Sequence, residues 1–143
     1  MIDKDREKAL KIAKKMMFDN DAFSQWLDIK IIDVVPGKCT LSMKITPEMT
    51  NGFYIAHGGI AFSIADSAVA FAANAYGNHA LSIENSISYF SALELGEEIM
   101  VVAEEIKSTK SLAWYQANIL NLEGVKKAHF KATIYKKKRL WDI

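Results

Sequence analysis

One carboxylate, Asp66, stands in the middle of residues 58–77, a run of small and apolar side chains that is otherwise free of charge. A His57-Gly58-Gly59 triplet opens the run, and Asn51-Gly52 lies shortly before it. A carboxylate held in such a place can take a proton from water. The free N–H groups and the positive dipole end at a helix start suit a carbonyl oxygen that gains negative charge. Glycine at that point lets a ligand approach the backbone closely. The chemistry these residues suggest is attack on a carbonyl.

The polar residues of the run are Ser63, Asp66, Ser67 and Asn74, and their offsets of three, four and eleven place them along one stripe of a helix. Two readings stay open. The stripe reaches solvent or makes structural hydrogen bonds, or it lines a site in which Asp66 acts. His57 by itself reads as a hydrogen-bonding scaffold residue before it reads as a catalyst. Metal binding finds no support, because His57, His79, His129 and Cys39 show no ligand spacing. No serine is framed as GxSxG and no phosphate loop is present. The basic cluster Lys136-Lys137-Lys138-Arg139 reads as a solvated tail, with a role in holding phosphates as the alternative.

The elements that must position these residues follow from length and pattern. The chain has 143 residues, enough for one domain with a real core. Its formal net charge of +1 gives no field to attract nucleic acid. The single Cys39 excludes an internal disulfide, and the charged N-terminus lacks a signal-peptide pattern, so a reducing cytoplasm is expected. Residues 58–77 are long enough to suggest a membrane span. Asp66 near their centre would cost about 2.5–3.5 kcal/mol in lipid, so the segment is read as a buried helix with no membrane role.

Residues 3–18 have the period of an amphipathic helix, with Asp3 as its cap, and residues 21–25 add a short turn. From Trp26 the period changes: Leu27, Ile29 and Ile31 alternate with Asp28 and Lys30, as in a strand. Pro36-Gly37 turns the chain, and Cys39, Leu41, Met43 and Ile45 form the second strand of a hairpin. A loop leads to the long helix, which Gly77 ends. About four strands follow, the first of them bent near Asn85. Successive hairpins make an antiparallel sheet, and a helix apolar on nearly all sides must be buried nearly all round. The expected architecture is an α+β domain in which a curved sheet wraps one central helix. One domain spans residues 1–143: an N-terminal helical segment over 1–25, the core over 26–136 and a tail over 137–143. Phe53, Tyr54, Phe62, Tyr89 and Phe90 suit either an aromatic pocket or the core, and the core is the first expectation.

Taken together, Asn51-Gly52, His57-Gly58-Gly59 and Ile64-Ala65-Asp66 resemble the hot-dog-fold acyl-CoA thioesterases of the phenylacetate-pathway type. The resemblance extends over roughly residues 26–135. Ile64 stands where that family has leucine, and Ser91-Ala92 where it often has a proline. The resemblance implies a hot-dog domain that forms a homodimer, and often a homotetramer, and that hydrolyses acyl-CoA thioesters, with aryl-acetyl groups preferred by the type it resembles. It places the functional aspartate on Asp66, the oxyanion-binding glycine on Gly58 and the loop asparagine on Asn51. His57, Gly59 and Ser67 are grouped with the substrate. No cofactor is implied, coenzyme A being part of the substrate.

The leaving group of a thioester is a thiol with a pKa of about 8.5 that can depart as thiolate, so a strong general acid is unnecessary. Asp66 as general base on water is the preferred mechanism, and direct attack by Asp66 through an anhydride is the alternative. Asn51 would orient the water or the carbonyl. Gly58, with Gly59 beside it, would donate N–H bonds to the oxyanion. Gly58 and Asp66 are eight positions apart, about 12 Å along a helix axis. One carbonyl cannot meet both in one chain, so two chains are expected to build each site, one giving Gly58 and the other Asp66. A non-catalytic acyl-CoA-binding module, and a hydratase or dehydratase pairing Asp66 with His57, are the competing readings.

Overall fold

The computed structural model describes residues 2–143. Helix α1 (Ile2–Leu10) leads without a break into π-helical turns over Lys11–Met17 and a 3-10 turn over Phe18–Asn20. The expected single α-helix is therefore corrected in two ways. Asp3 lies inside the first turn rather than capping it. The second half is wound more loosely, with the Phe18 N–H reaching back five residues to the Ala13 carbonyl. That spacing puts Ala13 and Phe18 on the same side, and both pack on the core.

Helix α2 (Ala22–Trp26) is capped by Asp21, whose carboxylate accepts from Ser24 N at 3.0 Å and from Ser24 Oγ. The expected start of strand spacing at Trp26 is displaced. Trp26 ends α2 and stacks on Phe23, and Asp28 turns the chain with φ +54°. Leu27 and Ile29 are buried as expected, but in a turn.

Six strands follow: β1 (Lys30–Val35), β2 (Lys38–Lys44), β3 (Asn78–Tyr89), β4 (Glu98–Ser108), β5 (Leu112–Asn121) and β6 (Lys126–Leu140). They form one sheet in the order β1-β2-β4-β5-β6-β3, every pair antiparallel. The long helix α3 (Gly58–Asn74) lies in the concave face. Its Ile60, Ile64, Ala65, Ala68, Val69, Phe71 and Ala72 meet the inward residues of β2, β4, β5 and β6, among them Leu41, Val101, Tyr115, Ala117 and Phe130. The many alanines let the helix sit close to the sheet. Loss of a large enclosed side chain such as Phe71 costs about 3–5 kcal/mol. The α+β wrap is as expected, with the N-terminal helical segment packed against β1 and α3. No helix among the described residues is long and apolar enough to cross a membrane.

Two features of the last strands bear on function. Strand β3 carries a register shift between Ser82 and Glu84, close to the bend expected at Asn85. The shift changes the parity of the strand, so Ser82 on one side of it and Asn85 and Tyr89 on the other all bond residues of α3. Leu81 and Ile83 instead remain exposed, at 43% and 57%. Strand β6 runs on through the basic cluster to Leu140 and pairs with β3 at Lys136↔Ala80 and Leu140↔Asn78. Residues 137–140 are thus strand rather than tail, and the boundary drawn after residue 136 falls inside β6. Beyond it Trp141 is tied down, donating from its backbone N–H to Gly77 and from Nε1 to Asn74 Oδ1.

Candidate active site

His57 is the N-cap of α3, and its Nδ1 accepts the Gly59 N–H at 2.9 Å. This places the proton of the neutral ring on Nε2. It also takes up the Gly59 amide, so Gly59 is not the second oxyanion donor that its position suggested. The Gly58 N–H has no acceptor among the described residues. The Gly58 carbonyl accepts the Tyr89 hydroxyl at 2.8 Å. A Cβ at Gly58 would stand 2.9 Å from that hydroxyl oxygen, so glycine is required for Tyr89 to sit where it does.

The loop before α3 is tightly organised. Asn51 Oδ1 accepts from Phe53 N, Tyr54 N donates to the Asn51 carbonyl, and His57 N donates to the Met49 carbonyl. Tyr54 takes up a φ of +62°, a conformation that non-glycine residues rarely adopt. The Asn51 oxygen is therefore occupied within the loop, whereas its Nδ2 has no acceptor among the described residues. Asn51, His57 and Gly58 border one cavity of about 350 Å³, whose apolar walls include Ile55, Ala61, Tyr89, Phe90 and Leu93. Of the five aromatics expected in the core, only Phe62 packs there, edge-on to Phe130. Phe53, Tyr54, Tyr89 and Phe90 are exposed.

Asp66 lies two turns along α3 and does not border that cavity. Its Oδ1 accepts from Ser82 Oγ and from Asn85 Nδ2, each at 3.2 Å, and Asn85 Nδ2 also reaches Ser82 Oγ at 3.2 Å. Oδ2 has no donor among the described residues. Burial raises the Asp66 carboxyl above its ordinary value of 3.8, and the Ser82 and Asn85 bonds offset part of that rise. The carboxylate is thus held by one oxygen and open at the other. Asn85 Oδ1 is buried without a partner.

The polar stripe of α3 divides between the two readings left open for it. Ser63 Oγ donates to the Gly59 carbonyl, and Ser67 Oγ lies 3.1 Å from Ser24 Oγ, bracing the N-terminal segment. Asn74 is a structural clasp: its Nδ2 donates to Ala70 and Ala80, and its Oδ1 accepts from Ala80 N and Trp141 Nε1. Within one chain, then, Asn51, His57 and Gly58 come together, while Asp66 stands apart with Ser82 and Asn85. Sequence reasoning missed Ser82 and Asn85 as site residues, and gave Tyr89 only as one of five aromatics suited to a pocket or the core. Their shared face is hidden by the register shift, which breaks the two-residue alternation that would have grouped them.

Comparison with known proteins bears on the family and the fold. The family model of the thioesterase superfamily matches residues 53–128, from the loop through most of the sheet. A putative esterase of Archaeoglobus fulgidus is 35% identical over 86% of this chain and 80% of its own length. The acyl-coenzyme A thioesterase PaaI of Escherichia coli is 31% identical over 80% of this chain and 82% of its own. The solved structure of the E. coli PaaI protein from the phenylacetic acid degradation operon superposes with a TM-score of 0.90 at 29% identity, covering 94% of this chain and 97% of that one. With its sheet wrapped around α3 and its Gly-Gly helix start, the chain belongs to the thioesterase superfamily and has the hot-dog fold.

Proposed function

We propose that the protein is an acyl-CoA thioesterase whose reaction centre is shared by two copies of the chain. The observation that carries this reading is the separation just described: a carboxylate with one open oxygen, and an open amide at a cavity, both on α3 but about 12 Å apart along its axis. Strand β3 lies at the edge of the sheet with one side unpaired. Antiparallel pairing of two β3 edges around a twofold axis brings the Gly58–Tyr89 end of one copy toward the Asp66–Ser82 region of the other, twice per dimer. The outward row Leu81, Tyr135 and Leu112, aligned across β3, β6 and β5, offers a surface on which dimers pair again.

In this site the thioester carbonyl oxygen points at Gly58 N–H and Asn51 Nδ2. Asp66 Oδ2 takes a proton from water as its oxygen bonds to the carbonyl carbon. The tetrahedral oxyanion is held by the two donors, an interaction worth about 2.7–4 kcal/mol per donor in comparable sites. Collapse breaks the C–S bond, and the coenzyme A thiolate leaves with the electron pair and is protonated, from Asp66 or from water. Coenzyme A enters only as part of the substrate, and no cofactor or metal takes part. The cavity wall of Tyr89, Phe90 and Leu93 suits an aryl-acetyl or medium-length acyl group. The bond from Gly59 to His57 Nδ1 occupies that nitrogen, so the hydratase reading would have to work through Nε2. The lone, buried Cys39 fits a reducing cytoplasm.

The test is thiol release across a panel of acyl-CoAs by the wild type and by Asp66→Asn. Release by the wild type that is lost on substitution supports the reading. Absence of release with every acyl-CoA would leave a binding module, or a hydratase if the acyl chain is changed while the thioester survives.

A further inference from the structure

The last strand of the chain, β6, carries a feature the proposed chemistry does not use. Lys136, Lys137, Lys138 and Arg139 lie in β6, where pairing with β3 at Lys136 and Leu140 and the Trp141 anchor hold the backbone that carries these charges. Lys136 N donates to the Ser111 carbonyl, which brings the turn carrying Lys110 alongside. The result is a cleft of about 200 Å³ lined by Asn78, Lys110, Ser111 and the lysines at 136–138, with Tyr135, from the outward row described above, as its aromatic wall. No carboxylate lines it. None of these cations, nor Arg139, forms an ion pair among the described residues, whose ion pairs involve Arg6, Lys30 and Lys127. The ammonium of Lys8 lies close by, against Gly77. The neighbouring His79 binds a proton less readily than usual, through loss of water and then through the charges of Arg139 and Lys137. A chain of net charge +1 has gathered unopposed cations at one small concavity with neutral donors beside them.

We infer that this cleft binds a group carrying two or more phosphates. Lysines are point charges suited to phosphate oxygens, and Ser111 and Asn78 add neutral hydrogen-bonding groups. Two sources share that chemistry: the phosphates of the acyl-CoA itself, which rests on the function proposed above, and a separate polyphosphorylated ligand. The cleft lies near the C-terminal end of α3, and Asn74 there is about 12 Å beyond Asp66 along the axis.

The experiment titrates pyrophosphate and adenosine 3′,5′-bisphosphate into the full-length protein by calorimetry. The wild type binds both, more weakly as salt rises. Lys136→Gln/Lys138→Gln weakens binding by about tenfold or more, the loss expected for charge-assisted hydrogen bonds. Lys126→Gln/Lys131→Gln makes the same charge change in the first half of β6, outside the cleft, and alters binding by less than about twofold. Equal thermal stability of the variants establishes that they fold. No heat with the wild type at millimolar probe, or equal weakening by both double variants, overturns the proposal. Hydrolysis then separates the sources. A lower kcat/KM for acyl-CoA but not for acyl-pantetheine in Lys136→Gln/Lys138→Gln assigns the site to coenzyme A. Probe binding lost with both rates intact assigns it to a separate phosphorylated ligand. The calorimetry involves no turnover, so a failure of the thioesterase reading does not decide it.

Discussion

Replacing Asp66 by asparagine separates the chemistry of this carboxylate from its structural role. Ser82 and Asn85 both donate to Oδ1, and the amide oxygen of asparagine accepts the same two bonds. The new NH₂ takes the place of Oδ2, which receives no bond among the described residues, so no donor faces it. The scaffold therefore keeps both bonds, though they pass from charge-assisted to neutral. The base is lost entirely, and a positioned general base contributes about 10²–10⁴ in rate, or about 2.7–5.5 kcal/mol. The sign of the stability change follows from the raised carboxyl. A folded-state pKa above the unfolded value means that Asp66 favours the fold only while protonated. That contribution is full below the unfolded value near 4 and is lost as pH rises through the folded-state pKa. Asparagine carries no such penalty, so the variant is as stable as the wild type at low pH and more stable at pH 7. Thiol release and thermal unfolding at pH 4 and pH 7 read both halves. A variant that keeps more than about a tenth of wild-type kcat, or that melts below the wild type at pH 7, would refute the reasoning.

The same shift predicts that kcat/KM of the wild type falls as pH drops through a value above 3.8; a rate flat through the acid range would contradict a carboxylate base. Tyr89→Phe removes the hydroxyl that holds the Gly58 carbonyl, and is expected to lower kcat by up to about tenfold while stability drops by about 0.5–1.5 kcal/mol. An unchanged kcat would show that this bond does not position the helix start. Asn74→Ala breaks the clasp between α3, β3 and Trp141 and leaves buried partners unsatisfied, at a cost of about 2–4 kcal/mol. Denaturant unfolding measures it, and a loss below about 1 kcal/mol would mean that the clasp is idle.

The elements legible in the sequence were those whose period runs unbroken. Helix α3 shows in its alanines, its Gly58-Gly59 entry and Gly77, whose φ of +112° suits glycine. Strands β2 and β5, and β6 as far as Ile134, show in strict alternation that the burial follows. What was illegible involves changes of period. The five-residue spacing of Ala13 and Phe18 belongs to neither helix nor strand templates. The left-handed Asp28 interrupts an alternation that otherwise reads as strand. The shift in β3 turns Ser82 and Asn85, three residues apart, onto one face. Lysines at 136–138 look like solvent-exposed tail because backbone pairing leaves no trace in side-chain polarity. Part of the candidate site shared this limit. Asn51, His57 and Gly58 were visible as a motif, but the capture of the Gly59 amide by His57 is a matter of side-chain direction. So is the bond from Tyr89 to Gly58, which joins residues 31 positions apart.

The claim on which the account rests is that each centre draws its donors from one chain and its base from another. Asp66→Asn and Asn51→Ala lie on opposite halves of such a site. Mixed in equal amounts, unfolded and refolded together, the two inactive variants give heterodimers as half of all dimers, and each heterodimer has one centre with both halves intact. The account predicts recovery of about one quarter of wild-type specific activity, since half of the dimers then carry one whole site of two. Activity no higher than that of the separate parents, in a mixture shown to contain heterodimers, would contradict it.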